Sequence, residues 1–87
     1  MDLQLPASVT VEHVGELLKP LAAAAKEGPL AIDASALTEF DTSTLALLLE
    51  GRRLAAASGI AFEVRGAPAQ LLDLARLYGV EELLALG

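Results

Sequence analysis

The sequence predicts an α/β domain: a small, mostly parallel sheet with helices packed mainly on one face. Two observations predict it. Short apolar or alternating runs at residues 3–5, 30–33 and 60–65 alternate along the chain with longer stretches of helical period, and glycine or proline marks the junctions at Gly28-Pro29, Gly59, Gly66 and Pro68. Strand-helix-strand order calls for right-handed crossovers, and partners then meet such a sheet at the loops after the carboxyl ends of its strands. With 87 residues, 54% hydrophobic, and no repeat, linker or low-complexity stretch, the chain is expected to form a single domain over 1–87.

Each element has its own signature. Residues 3–5 alternate apolar and polar and stop at Pro6, which predicts a short strand. Thr10 has the chemistry of an N-cap. After it, Val11, Val14, Leu17, Leu18, Leu21, Ala22 and Ala25 recur at three- and four-residue spacing, predicting a helix over 11–27 that Pro20 bends and Gly28-Pro29 ends. Residues 30–33 read as an interior strand delivering Asp33 to its carboxyl end, followed by a loop over 34–40. Asp41 then caps a helix that runs to Ser58-Gly59 and is apolar nearly all round in its first half, so it is expected to lie against both the sheet and another helix. Ile60, Phe62 and Val64 alternate on one side of a third strand. Pro68 suits the first position of a last helix whose apolar face is Leu71, Leu72, Leu74, Ala75 and Leu77, and a short apolar turn over 80–86 follows.

Composition excludes several functions. Without cysteine there is no disulfide, zinc finger or thiol nucleophile, and the single histidine, His13, supplies neither a multi-histidine metal site nor a catalytic triad with a spare proton shuttle. Six Lys plus Arg against twelve Asp plus Glu leave a net charge of −6, and only three aromatic side chains are present (two Phe, one Tyr). A nucleic-acid surface needs both a basic field and stacking platforms, and this chain has neither. The apolar runs fall far short of the roughly 20 residues that span a bilayer, so a cytoplasmic location is expected. No cofactor and no enzymatic activity are expected.

The chemistry gathers at Asp41-Thr42-Ser43-Thr44, a carboxylate and three hydroxyls at a helix start, where unpaired N–H groups and the dipole favour negative charge. Capping alone accounts for these residue types. A phosphoryl group on Ser43 or Thr42 would also sit well there and, beside Asp41 and Asp33, would repel an acidic surface.

The runs at 30–33 (Leu-Ala-Ile-Asp), 40–49 (Phe-Asp-Thr-Ser-Thr-Leu-Ala-Leu-Leu-Leu), 62–66 (Phe-Glu-Val-Arg-Gly) and 74–80 (Leu-Ala-Arg-Leu-Tyr-Gly-Val) together resemble the STAS domain family, most closely its MlaB-like branch. The resemblance covers about residues 30–84, with a looser match at Leu5-Pro6 and the first helix. It implies a non-catalytic subunit that docks on the ATPase of an ABC phospholipid transporter maintaining outer-membrane lipid asymmetry, at the inner face of the inner membrane through that partner. The partner-binding residues it implies are Asp41, Thr42, Ser43, Thr44 and Leu45, with Thr42 in the place of the functional threonine at the ATPase interface and Asp33 supporting the loop. In the family's other branch, the anti-sigma factor antagonists, the phosphorylated serine that switches binding to a serine kinase falls on Ser43. The chain carries both hydroxyls. It departs from the family pattern at Thr44, where glycine is common, and at an N-terminus shorter than in many members, from which the family's first strand is expected to be missing, with the sheet edge so left open to a partner or to a homodimer.

Other residues have plainer explanations. His13 is expected on the solvated side of its helix beside Glu12 and Glu16, and Arg52-Arg53 on a solvated face that also suits an acidic partner. Asp33 and Asp41 are not accompanied by the nucleophile or oxyanion arrangement that an acid/base pair would serve. Leu77, Tyr78, Val80 and Leu83 suit either core packing or a partner surface.

Overall fold

The structure is a computed structural model and describes residues 2–84. Its elements run β1 (Asp2–Gln4), β2 (Ser8–Val9), a 3-10 helix (Val14–Leu17), α1 (Leu18–Lys26), β3 (Leu30–Asp33), β4 (Glu39–Phe40), α2 (Thr42–Ser58), β5 (Phe62–Arg65) and α3 (Ala69–Leu77). β1, β3 and β5 form a parallel sheet in that order, and β2 pairs in parallel with β4 in a second, two-stranded ladder.

The register divides the main sheet into two unlike faces. Leu3, Ile32 and Val64 align across it and point into the core, whereas Asp2, Ala31 and Glu63, then Gln4, Asp33 and Arg65, align on the other face. Among the described residues only the first face is covered. Leu21, Ala24 and Ala25 of α1, Leu45, Leu47 and Leu48 of α2, Leu71 and Ala75 of α3, and Leu84 are buried with Ile32 in one cluster, as expected for helices packed mainly on one face. On the open face the Arg65 guanidinium reaches Asp2 at 3.3 Å and Glu63 at 2.5 Å, spanning β3 above the small side chain of Ala31.

α2 is the central helix, and it approaches its neighbours tightly at Gly51. A Cβ there would lie 3.2 Å from the tips of Leu21 and Phe62 and 3.3 Å from Ile32, so α1, α2 and the sheet converge on the missing side chain. The helix ends as expected at Gly59, whose φ of 67° is the left-handed cap that glycine adopts without strain. Gly66 has the same φ and carries a steric demand as well, since a Cβ would stand 2.8 Å from that of Ser35.

The first helix differs from expectation. Residues 11–13 form a turn, 14–17 a 3-10 helix, and the α-helix begins only at Leu18, so Pro20 lies in its first turn and does not bend it. The cause is local: proline lacks the N–H that an interior position must donate, and the first turn is the one place in an α-helix where that N–H has no partner. Thr10 does not cap the segment with its side chain; its carbonyl instead accepts the N–H groups of His13 and Val14, each at 2.9 Å. Three smaller differences are β2, which lies where the sequence assigns no strand, β4, which occupies residues expected in a loop, and Pro68, which is the N-cap of α3 instead of its first residue. The expected last turn is present over 81–84, and Leu86 lies outside the described residues.

Candidate functional site

The chain leaves β3 at Asp33, turns through 34–38, pairs briefly as β4, and enters α2 at Asp41. Asp33 ties the start of this path: its carboxylate accepts the Ser35 N–H at 2.9 Å. The Ser35 hydroxyl and amide, with a smaller contribution from Arg65, hold the Asp33 carboxyl below its ordinary value.

Asp41 organises the helix start. Its backbone is extended, and its carboxylate accepts the Ser43 N–H at 2.9 Å, the Ser43 hydroxyl, and the Val11 N–H at 3.2 Å. Thr44 completes a capping box by accepting the Asp41 N–H at 3.3 Å, and its hydroxyl donates to the Val9 carbonyl at 2.7 Å. The helix start is thereby tied to β2 and to the turn after it, some thirty residues back in the chain. Within that network the Ser43 hydroxyl, ahead of the Val11 and Ser43 amides, keeps the Asp41 carboxyl below 3.8 despite partial desolvation.

A carboxyl whose pKa is lower in the folded chain stabilises that chain above its ordinary value, and the contribution is lost as pH falls through the lowered value. Thermal melts followed by circular dichroism are therefore expected to show the contribution of these two groups intact at neutral pH and lost progressively as pH falls through the acidic carboxylate range. Asp41→Asn, which still caps a helix but carries no charge, is expected to flatten that acid limb. An unchanged acid limb in the variant would remove Asp41 from this account.

The expected partner-binding residues divide by exposure. Thr42, the first residue of α2, is exposed, and Ser43 is half-buried with its hydroxyl engaged by Asp41. Thr44 and Leu45 are buried, at 0% and 4% exposure, so their side chains support the surface from beneath and do not form it. The threonine that replaces the family's common glycine thus adds no bulk outward, because its hydroxyl is turned in toward Val9.

Two residues expected on the apolar face of the first helix are exposed instead, Leu18 at 48% and, more fully, Val11. Val11 lies in the turn before the 3-10 helix, 72% exposed, with its N–H on Asp41. Pro20 carried the signal, because a helix with proline in its first turn cannot already include residue 11. Of the C-terminal candidates, Leu77, Tyr78 and Leu83 are exposed and Val80 is half-buried against the core, so Leu77 does not belong to the packed face of α3. His13, Arg52 and Arg53 are exposed. Asp33 and Asp41 keep separate partners and do not form a pair.

A groove of about 450 Å³ opens along the uncovered sheet face at Asp2, Leu30, Ala31, Phe62, Glu63 and Arg65; no residue of α2 lines it. Among the described residues no group of three His, Cys, Asp or Glu side chains is placed to hold a metal ion, and no helix is long and apolar enough to cross a membrane. Compared with known families, residues 1–85 match the model described as "Mlab, STAS domain". No curated protein matches the chain.

Proposed function

Since the chain belongs to the MlaB-like STAS domain family, we propose that it is a non-catalytic binding module, the small subunit that docks on the ATPase of an ABC phospholipid transporter. Its docking surface is the start of α2, with Thr42 at the contact. The transporter maintains outer-membrane lipid asymmetry, and this chain reaches the inner face of the inner membrane through its partner.

The observation that carries the reading is the division of labour among the hydroxyls. Thr44 is buried and Ser43 is bound to Asp41, which leaves Thr42 as the hydroxyl presented outward on a rigid, capped helix. Such a residue suits constitutive contact: it is ordered without the partner, so little conformational entropy is lost on binding. Ser43 suits a phosphorylation switch less well, because a phosphoryl group there must displace a cap hydrogen bond and sit against the Asp41 carboxylate.

Co-purification with the ATPase subunit from the same cells tests the proposal. Thr42→Arg is expected to weaken capture at least about tenfold with an unchanged melting temperature, since an exposed first-turn residue contributes little to packing. Undiminished capture would show that Thr42 is not at the contact. Phosphorylation of Ser43 by an anti-sigma serine kinase, seen as a mass increase of the intact chain, would favour the antagonist reading instead.

A further inference from the structure

We propose that the docking surface at the start of α2 takes a basic protein surface, with Val11 as its apolar anchor. The inference rests on the docking reading above and specifies the chemistry of the partner.

Val11 is 72% exposed, yet it is not on a loose loop. Its N–H is held by the Asp41 carboxylate at 3.2 Å, Val9 before it pairs with Phe40, and the Thr10 carbonyl accepts the His13 and Val14 amides. A valine side chain is thus fixed in solvent beside the first turn of α2, where it has little freedom left to lose. An apolar side chain preordered in this way loses little conformational entropy when a partner buries it.

Charge identifies the pocket's surroundings. The segments that meet here, 8–16 and 38–45, carry Glu12, Glu16, Glu39 and Asp41 and no lysine or arginine; residues 1–18 and 27–51 contain none at all. The ion pairs of the described residues lie elsewhere, with Arg53 on Glu50, Arg65 on Glu63 and Asp2, and Arg76 on Asp73 and Glu81. The positive end of the α2 dipole does not reverse the sign, because the Asp41 carboxylate already sits on it. Complementary interfaces match opposite potentials, so the occupant presents arginine or lysine around an apolar socket of valine size.

The test titrates the purified transporter ATPase, and in parallel an anti-sigma serine kinase from the same cells, with the parent chain, Val11→Asp, Thr42→Arg and the double variant Glu12→Lys, Glu39→Lys. Val11→Asp and the double variant are each expected to raise Kd at least about tenfold, and the parent's Kd is expected to rise between about 50 and about 300 mM salt. The Val11 amide survives the substitution, so the Asp41 bond and the melting temperature are expected to persist; should Val11→Asp melt lower, Val11→Ala takes its place. If the ATPase binds and only Thr42→Arg weakens it, the docking reading stands and this inference is overturned. Binding to the kinase alone, with the same dependence on Val11 and the glutamates, removes the transporter reading and upholds the inference. If neither protein binds, both fall.

Discussion

Leu48→Ala is expected to lower the unfolding free energy by about 2–5 kcal/mol, the range for deleting a fully buried leucine whose surroundings cannot collapse into the space. Leu48 is 0% exposed in the middle of α2, in the cluster shared by the sheet, α1 and α3. Those elements are fixed by their own pairings, so relaxation into the cavity is limited. In a domain of this size the loss is a large share of a total of about 5–15 kcal/mol. Urea unfolding is expected to show a lower midpoint at an unchanged slope. A loss below about 1 kcal/mol would mean that α2 is not seated as described.

Thr44→Val is expected to cost about 1–3 kcal/mol although it preserves shape almost completely. The variant removes the hydroxyl that donates to the Val9 carbonyl at 2.7 Å and accepts the Asp41 N–H at 3.3 Å, so two backbone groups lose a side-chain partner beside a residue with 0% exposure. Thr44→Ser keeps the hydroxyl and is expected to recover most of the loss. Hydrogen exchange distinguishes this bond from simple packing: the Val11 and Ser43 amides, which share Asp41 with the Thr44 network, are expected to exchange faster in Thr44→Val and not in Leu48→Ala.

Much of this arrangement is legible in the chain itself, and the physical reason differs by element. β3 and α2 announce themselves as compact apolar runs and β5 by its alternation, and glycine closes two of them: Gly59 caps α2 and Gly66 turns the chain after β5. Asp41 reads as a cap because a side chain three atoms long in that position has few other partners within reach. Where the sequence misleads, a long-range bond decides. β4 is two residues long and exists only because β2 runs beside it, and the inward turn of Thr44 depends on a carbonyl thirty-five residues away. Val11 keeps the spacing of a helical residue while standing outside the helix, because apolar spacing in 11–18 continues through a turn and a 3-10 segment that follow the same rough period. Residue types alone give no sign of which of three adjacent hydroxyls faces outward; that follows from the capping geometry.

The ladders and bonds that hold residues 2–9 also set the order in which the chain acquires structure. β1 rests on Ala31 to Asp33, the Ala7 carbonyl on the amides of Thr38 and Glu39, and Val9 on Phe40 and the Thr44 hydroxyl. As a ribosome delivers the chain, those eight residues emerge well ahead of all these partners, and closing the intervening loop costs conformational entropy that no local contact offsets. Leu3, Leu5 and Val9 therefore stay solvated through the synthesis of α1 and β3, a nascent-chain segment suited to a chaperone that binds short apolar stretches. Leu3 and Leu5 find their partners once β3 has emerged, but Val9 is secured only after the first turn of α2 has followed, so the residues proposed to meet the partner are also those that close the amino-terminal part of the fold.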